Sequence, residues 1–269
     1  MNLGELRQYC NFIVNKDQKG NPATPEDFII LVNAAVNKFF SSNYKDILLM
    51  SNEKGTPVSE LVMNNNKMKR YVSEIQLSRS TDMPPTFALP GDTNFKHELS
   101  ATAQDGSRPI TNRRFVKILS NIQFDRFITN DLRDSLSEDV AAKYRPATKN
   151  FVLSSTFEYL YLSYIRDIIN SAFDYCSDQF GNVYYMLPGY SVVSAGATAG
   201  ATYNLVNRSG GVVVLNVTHP TATSYPHYST SVELDVDEEY HEDIAKIVII
   251  DMSIKDQDYN KTQIEVSKQ

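Results

Sequence analysis

Between Ser231 and Met252 the apolar period of the chain changes, and this constrains the fold more than any other stretch. Val232, Leu234 and Val236 alternate with Glu233, Asp235 and Asp237, the period of a half-buried strand. From Tyr240 the period becomes helical, through Ile244, Ile247 and Val248. Ala245, Ile249 and Ile250 fill the intervening positions, so the helix is apolar nearly all round and is expected to be buried. The acids Asp235, Asp237, Glu238, Glu239, Glu242 and Asp243 then fall on the strand's wet face and in the first helical turn. There they complement exposed backbone N–H groups and the positive end of the helix dipole.

The same acids, with His241, could be read as a metal or acid–base site, but their spacing argues for architecture. His241-Glu242 is not followed by a second histidine at the spacing of a zinc-protease helix. Nor does the run carry the glycine and terminal glutamate of a calcium loop. His97, His219 and His227 are scattered, and neither Cys10 nor Cys176 has an adjacent histidine. The chain has no Gly-Xaa-Ser-Xaa-Gly elbow. Asn207-Arg208-Ser209-Gly210-Gly211 lacks the lysine of a phosphate loop and reads as a hairpin turn. No catalytic, cofactor-binding or metal-ligating residue is therefore assigned, and the chain reads as a non-enzyme.

Elsewhere the periodicity alternates between helix and strand. Leu3, Leu6, Cys10 and Ile13 form one stripe of an amphipathic helix, followed by a turn around Gly20. Thr24-Pro25-Glu26-Asp27 supplies a cap, a first-turn proline and two acids, and Phe28, Val32, Ala35 and Phe39 continue as the buried stripe of a second helix. A third helix is expected from Val58 to about Tyr71, with a polar, basic face at Asn64–Arg70. Ser78 to Arg113 is rich in Pro, Thr, Ser and Asp and reads as a long irregular excursion with at most short strands. Phe115–Leu119 reads as a strand, and Phe124, Phe127, Ile128 and Leu132 as a helical stripe. A β-rich region begins at Phe151, with strands at Asn182–Leu187 and Gly211–Val217. Between those two, Tyr190–Gly200 is small, uncharged and glycine-punctuated, like a long hairpin tip.

Composition narrows the partners. The 269 residues are 42% hydrophobic, enough for a real core. A net charge of −6 disfavours gripping DNA, which relies on clustered Lys and Arg. Sixteen tyrosines and no tryptophan suit a tyrosine-rich core or a protein interface. Two cysteines make no disulfide framework and read as reduced, buried thiols. No apolar run approaches the ~20 residues of a membrane span, and the N-terminus does not read as a signal peptide.

Several stretches, taken in order, resemble a virion structural protein of crAss-like bacteriophages, short-tailed viruses of gut Bacteroidetes. Tyr9 to Asn21 is similar to the family's "N-K-D-Q-x-G" turn, and Thr24 to Ala35 to its proline-started helix with "L-V-N-x-A". Phe115 to Leu136 resembles the family's strand and helix, and Arg145–Lys149 its "P-P-T-K" loop. Ser231–Leu234 and His241–Ile244 resemble its late strand and helix entry. The usual "Y-L-R-x-P" strand end is met only by Tyr164–Asp167, without the proline, and Ser163 to Gly211 is longer than in that family, which implies an added loop.

The resemblance implies a ring subunit of the head–tail connector or tail barrel beneath the portal, through which genomic DNA passes without specific binding. The expected assembly is a dodecameric homo-oligomer touching the portal and adjacent tail ring proteins, built in the host bacterial cytoplasm and found in the virion. A minor capsid or fibre-adaptor protein is the alternative within the particle, and an enzyme with an unrecognised site is the alternative outside it. The expected fold is α+β: one domain over residues 1–269, a helical bundle with a small antiparallel β-sheet or hairpin. Its helices are Leu3–Ile13, Phe28–Phe40 and Tyr240–Met252, with extended loops at about 78–113 and 188–204 reaching neighbouring subunits.

Overall fold

A computed structural model of the chain describes residues 1–18, 23–80, 86–106, 113–129, 140–194, 203–222 and 224–266. In chain order it runs α1 (Leu3–Gln18), α2 (Pro25–Lys54), α3 (Val58–Asn64), α4 (Asn66–Lys69), β1 (Val72–Ser78), β2 (Thr86–Ala88), β3 (Phe95–Gln104) and β4 (Arg114–Ile118). There follow α5 (Asn121–Thr129), β5 (Val140–Arg145), β6 (Asn150–Leu153), β7 (Tyr159–Arg166), β8 (Tyr175–Asp178), β9 (Val183–Tyr185), β10 (Ser191–Ser194), β11 (Tyr203–Val206), β12 (Val212–Thr218), β13 (His227–Tyr228) and α6 (His241–Val266). The strands form one sheet in the order β1-β7-β3-β4-β5-β6-β2 and another in the order β13-β10-β11-β12-β8-β9.

This overturns the expected helical bundle with a small β part. Among the described residues, thirteen strands in two curled sheets outnumber six helices and make the architecture mostly β, with 32% of residues in strands and 37% in helices. The reason is visible in β3, which lies at the centre of the first sheet inside the supposed excursion. Its inward residues Ala101 and Ala103 are small, so the alternation is too faint to stand out beside the flanking Pro, Thr and Ser. The parts of that excursion at 81–85 and 107–112, and the predicted helical position Leu132, lie outside the described residues.

The chain divides into two compact units, Met1–Asn43 with Ile169–Gln269, and Tyr44–Ile168. In the Tyr44–Ile168 unit the long strands β3 and β7 pair antiparallel over most of their length, and β1 pairs with β7 on the other side. β4 and β5 are the parallel pair. The sheet curls until its end strands meet, where Ser80 donates its N–H to the Thr86 carbonyl at 2.8 Å. The enclosed core holds Phe87, Phe151, Leu160 and Leu162, with Phe95 against the rings of Tyr144, Phe151 and Tyr164, and Tyr144 also against Phe151. Each fully buried aromatic or leucine there contributes roughly 1.5–3 kcal/mol by leaving water. On the other face, Phe124 of α5 packs on Ala141 and Val152. The predicted third helix is broken in two at Asn65, whose side chain turns back to accept the Lys67 N–H at 2.9 Å.

In the other unit, α1 buries Leu3, Leu6 and Cys10 of the predicted stripe, with Val14 buried in place of the half-buried Ile13, and packs against α6. Thr24 caps α2 as expected, its Oγ1 accepting the Asp27 N–H at 3.1 Å. Phe28, Val32, Ala35 and Phe39 are buried, and Phe39 lies 5.7 Å from the Tyr240 ring. Lys38 pairs with Asp251 of α6 at 2.7 Å. Helix and sheet layers meet through Phe173, which packs edge-on against Phe28 and within 4.6 Å of Tyr185. Asn33 clamps the Ser171 backbone in both directions, at 3.0 and 2.8 Å. Helix α6 continues through Asp256 to Val266.

Candidate functional site

The acidic run that dominates the sequence dissolves as a site. Val232 to Val236 forms no regular strand; a single bridge joins Val232 to Ala172. Asp235 is buried rather than on a wet face, where it accepts the Ile169 N–H at 3.0 Å. Glu238–Tyr240 makes a short 3-10 turn, and Glu242 and Asp243 occupy the first turn of α6, as dipole chemistry expects. His241 lies against its own turn, 3.1 Å from the Val236 carbonyl through Nε2. Glu233 reaches away to hold the N–H of Leu3 and the hydroxyl of Tyr185.

The structure instead gathers three residues that the sequence left apart. Asp174 directly precedes β8, His219 directly follows β12, and His227 opens β13. Their ligand-capable atoms all lie within 4.8 Å of one another. Asp174 Oδ1 is 2.6 Å from His219 Nε2 and accepts the Tyr175 N–H at 3.0 Å. Its Oδ2 accepts the Thr230 N–H at 2.9 Å and the Thr230 hydroxyl at 3.3 Å, with His227 Nε2 at 3.4 Å. The two imidazoles lie with centroids 3.9 Å apart and their planes inclined at 48°. Burial by itself raises the Asp174 pKa. The hydrogen bonds from Thr230 and the two histidines outweigh it and bring the carboxyl below its ordinary value.

An aspartate with two histidines is a donor set that divalent metals accept. The bonds around His219 decide against that use. Its Nδ1 accepts backbone N–H groups from Thr221 at 3.2 Å and Ala222 at 3.0 Å. The proton is therefore on Nε2, which donates it to Asp174. A metal on Nε2 would require the proton on Nδ1, facing two other donors. Metal-binding histidines instead turn that second N–H to an acceptor. The cluster is a hydrogen-bonded lock that ties the start of β8 to the end of β12 and the start of β13.

The neighbouring hydroxyls are engaged in the same way. Ser231 Oγ accepts the Asp174 N–H at 3.0 Å, and Ser229 donates to the Met186 carbonyl at 2.7 Å. Cys176, two residues from Asp174, is buried. Desolvation, helped by the Asp174 charge, pushes its thiol up to about 12, far from thiolate reactivity at neutral pH. Cys10 is likewise buried and pushed up to about 12. His97 stacks on Tyr44 at 4.8 Å, and desolvation lowers its pKa although Glu98 opposes the shift.

The Asn207–Gly211 hairpin turn is as predicted. Asn207 Oδ1 accepts the N–H groups of Ser209 and Gly211, and Gly210 takes the left-handed φ of 81°. Both histidines stand beside prolines, His219-Pro220 and Pro226-His227, but nothing in the linear spacing links them to Asp174. A scan against protein-family models and a search of curated proteins found no match to the chain.

Proposed function

We propose that this chain is a non-enzymatic structural subunit of a bacteriophage particle, a ring component of the head–tail connector or tail barrel. The observation that carries the reading is the amount of large apolar surface left in solvent by the isolated chain. Phe115 is 83% exposed and Phe180 80%, and Phe12, Ile30 and Ile122 are each about two-thirds exposed. Single exposed apolar residues are ordinary; several full phenylalanine and isoleucine side chains, on both units, fit surfaces that are covered on assembly. The chemistry of the Asp174 cluster supports the same reading, because its donors and acceptors satisfy each other rather than a substrate. The resemblance of the N-terminal and late segments to crAss-like phage virion proteins supplies the particle and the expected dodecameric ring. The net charge of −6 suits a channel component past which DNA moves without sticking.

The test is direct. Purified phage particles should contain the chain at ring stoichiometry, measured by quantitative mass spectrometry. The isolated protein should sediment as a large oligomer or assemble on portal complexes. A chain missing from finished particles refutes the proposal.

A further inference from the structure

The six-stranded sheet is almost without charge. The chain carries 26 Lys and Arg and 32 Asp and Glu, yet between Gln179 and Val232 only Arg208 belongs to either group. That interval contains five of the six strands, β9 to β13. It is not hidden for that reason. Val212 is 56% exposed, Val213 48% and Leu215 63%.

The register explains why these side chains point outward. β12 pairs with β11 through Val217↔Tyr203, Val214↔Leu205 and Val212↔Val206, which leaves extra residues on β12 at two places. Such bulges re-aim side chains, and Asn216 takes a φ of 55° at one of them. On its other side β12 is covered by β8 only at Val217 and Thr218. Along Val212–Asn216 no strand flanks it there among the described residues. The turn that leaves β8 after Asp178 carries Phe180, which is 80% exposed.

Water-facing protein surface ordinarily carries a quarter or more charged residues, roughly 25–35% in a soluble design. Interface cores are depleted of Lys, Glu and Asp and enriched in aromatic residues. This sheet has that composition, with Tyr184, Tyr185, Tyr190, Tyr203, Tyr225 and Tyr228 in the same interval.

We infer that the outward patch of Val212, Val213, Leu215 and Phe180 is the surface on which a second copy of this chain docks. Charge selects the occupant. Two copies each carrying −6 repel wherever their acidic faces meet, and this sheet is the stretch where they approach without opposing like charges. The inference rests on the assembly reading above and assigns its contact surface.

The experiment compares the full-length wild type with Leu215→Lys and Phe180→Glu by sedimentation velocity across a concentration series. Both side chains stand in solvent, so melting temperatures should match and the fold is controlled for. Each introduced charge should weaken self-association by about tenfold or more. Ile250→Lys, on the exposed side of α6, should leave it unchanged. Amide hydrogen exchange over residues 212–216 should slow as the wild type associates. The inference is overturned if wild type and L215K sediment alike, whether both are monomers or both associate. It is also overturned if the wild type remains monomeric and this patch captures only another virion protein. Incorporation into particles separates the two claims. L215K particles of normal composition, with unchanged sedimentation, sink the docking surface and leave the structural role standing. A wild-type chain absent from particles sinks the role while sedimentation still decides the surface.

Discussion

Replacing Asp174 by alanine removes the acceptor at the centre of the β8–β12–β13 lock. Five contacts end on that carboxylate: the Tyr175 and Thr230 N–H groups, the Thr230 hydroxyl and the two histidine Nε2 atoms. His219 and Asp174 are both buried, so the freed Nε2–H and the backbone N–H groups are poorly placed to find water. A buried donor left unsatisfied costs about 1–3 kcal/mol. Several donors lose the same charged acceptor at once, and a hydrogen bond to a charged group is worth about 1.5–3 kcal/mol. We therefore expect D174A to lose roughly 4 kcal/mol, a fall in melting temperature on the order of 10 °C. Thermal unfolding followed by circular dichroism measures it. His219→Ala should cost a similar amount, and the D174A/H219A double variant should cost clearly less than the sum, because the two residues act through one bond.

The pH dependence has a definite sign. The folded Asp174 carboxyl titrates below its ordinary value, so its contribution is complete above the usual carboxylate range and is lost as pH falls through the lower, folded value. Asp174→Asn should lack that acid-limb loss. Zinc should not raise the wild-type melting temperature, because metal that binds only the folded state would show as added stability. A D174A variant melting within a degree of wild type, or a zinc-dependent rise, would refute the hydrogen-bonded lock.

Gly4→Ala should be destabilising by about 1–3 kcal/mol, although alanine ordinarily favours a helix, since the added Cβ would lie 2.8 Å from the Tyr185 Cβ; chemical denaturation reads the sign. Phe151→Ala, which removes a fully buried ring packed against Phe95 and Tyr144, should cost about 3–5 kcal/mol in the same assay. Cys10 and Cys176 should resist a thiol reagent at mildly alkaline pH until the chain is unfolded, since both are buried with thiols pushed to about 12; prompt labelling of the native protein contradicts that burial. Gly210→Ala, at φ 81°, should strain the Asn207–Gly211 turn by roughly 1–2 kcal/mol, visible as a lower melting temperature.

Helices were the legible part of this chain because their signals are local. The Thr24 cap, the first-turn proline and the stripe Phe28, Val32, Ala35 and Phe39 all lie within a few turns of one another, and α2 follows them. The same holds for the start of α6, where the acids stand in the first turns. β12 and the Asn207–Gly211 turn were also readable, from an apolar run and a glycine pair. The strand proposed at Val232–Val236 failed although its alternation was clean. Alternation records burial, which Leu234 and Val236 do have, but a strand also needs a neighbouring backbone, and among the described residues only Ala172 offers one.

Residue order by itself determined where α2 and α6 begin, the buried stripe of α2, and that Glu242 and Asp243 serve a helix end. Each of those follows from contacts between residues three or four positions apart, or from the dipole of a single element. The tertiary structure alone decided the rest. The central strand β3 exists because β7, some sixty residues later, supplies the partner its small alanines do not advertise. Asp174, His219 and His227 form one cluster because three strand ends converge, and that convergence is a property of the sheet's register, not of any local pattern.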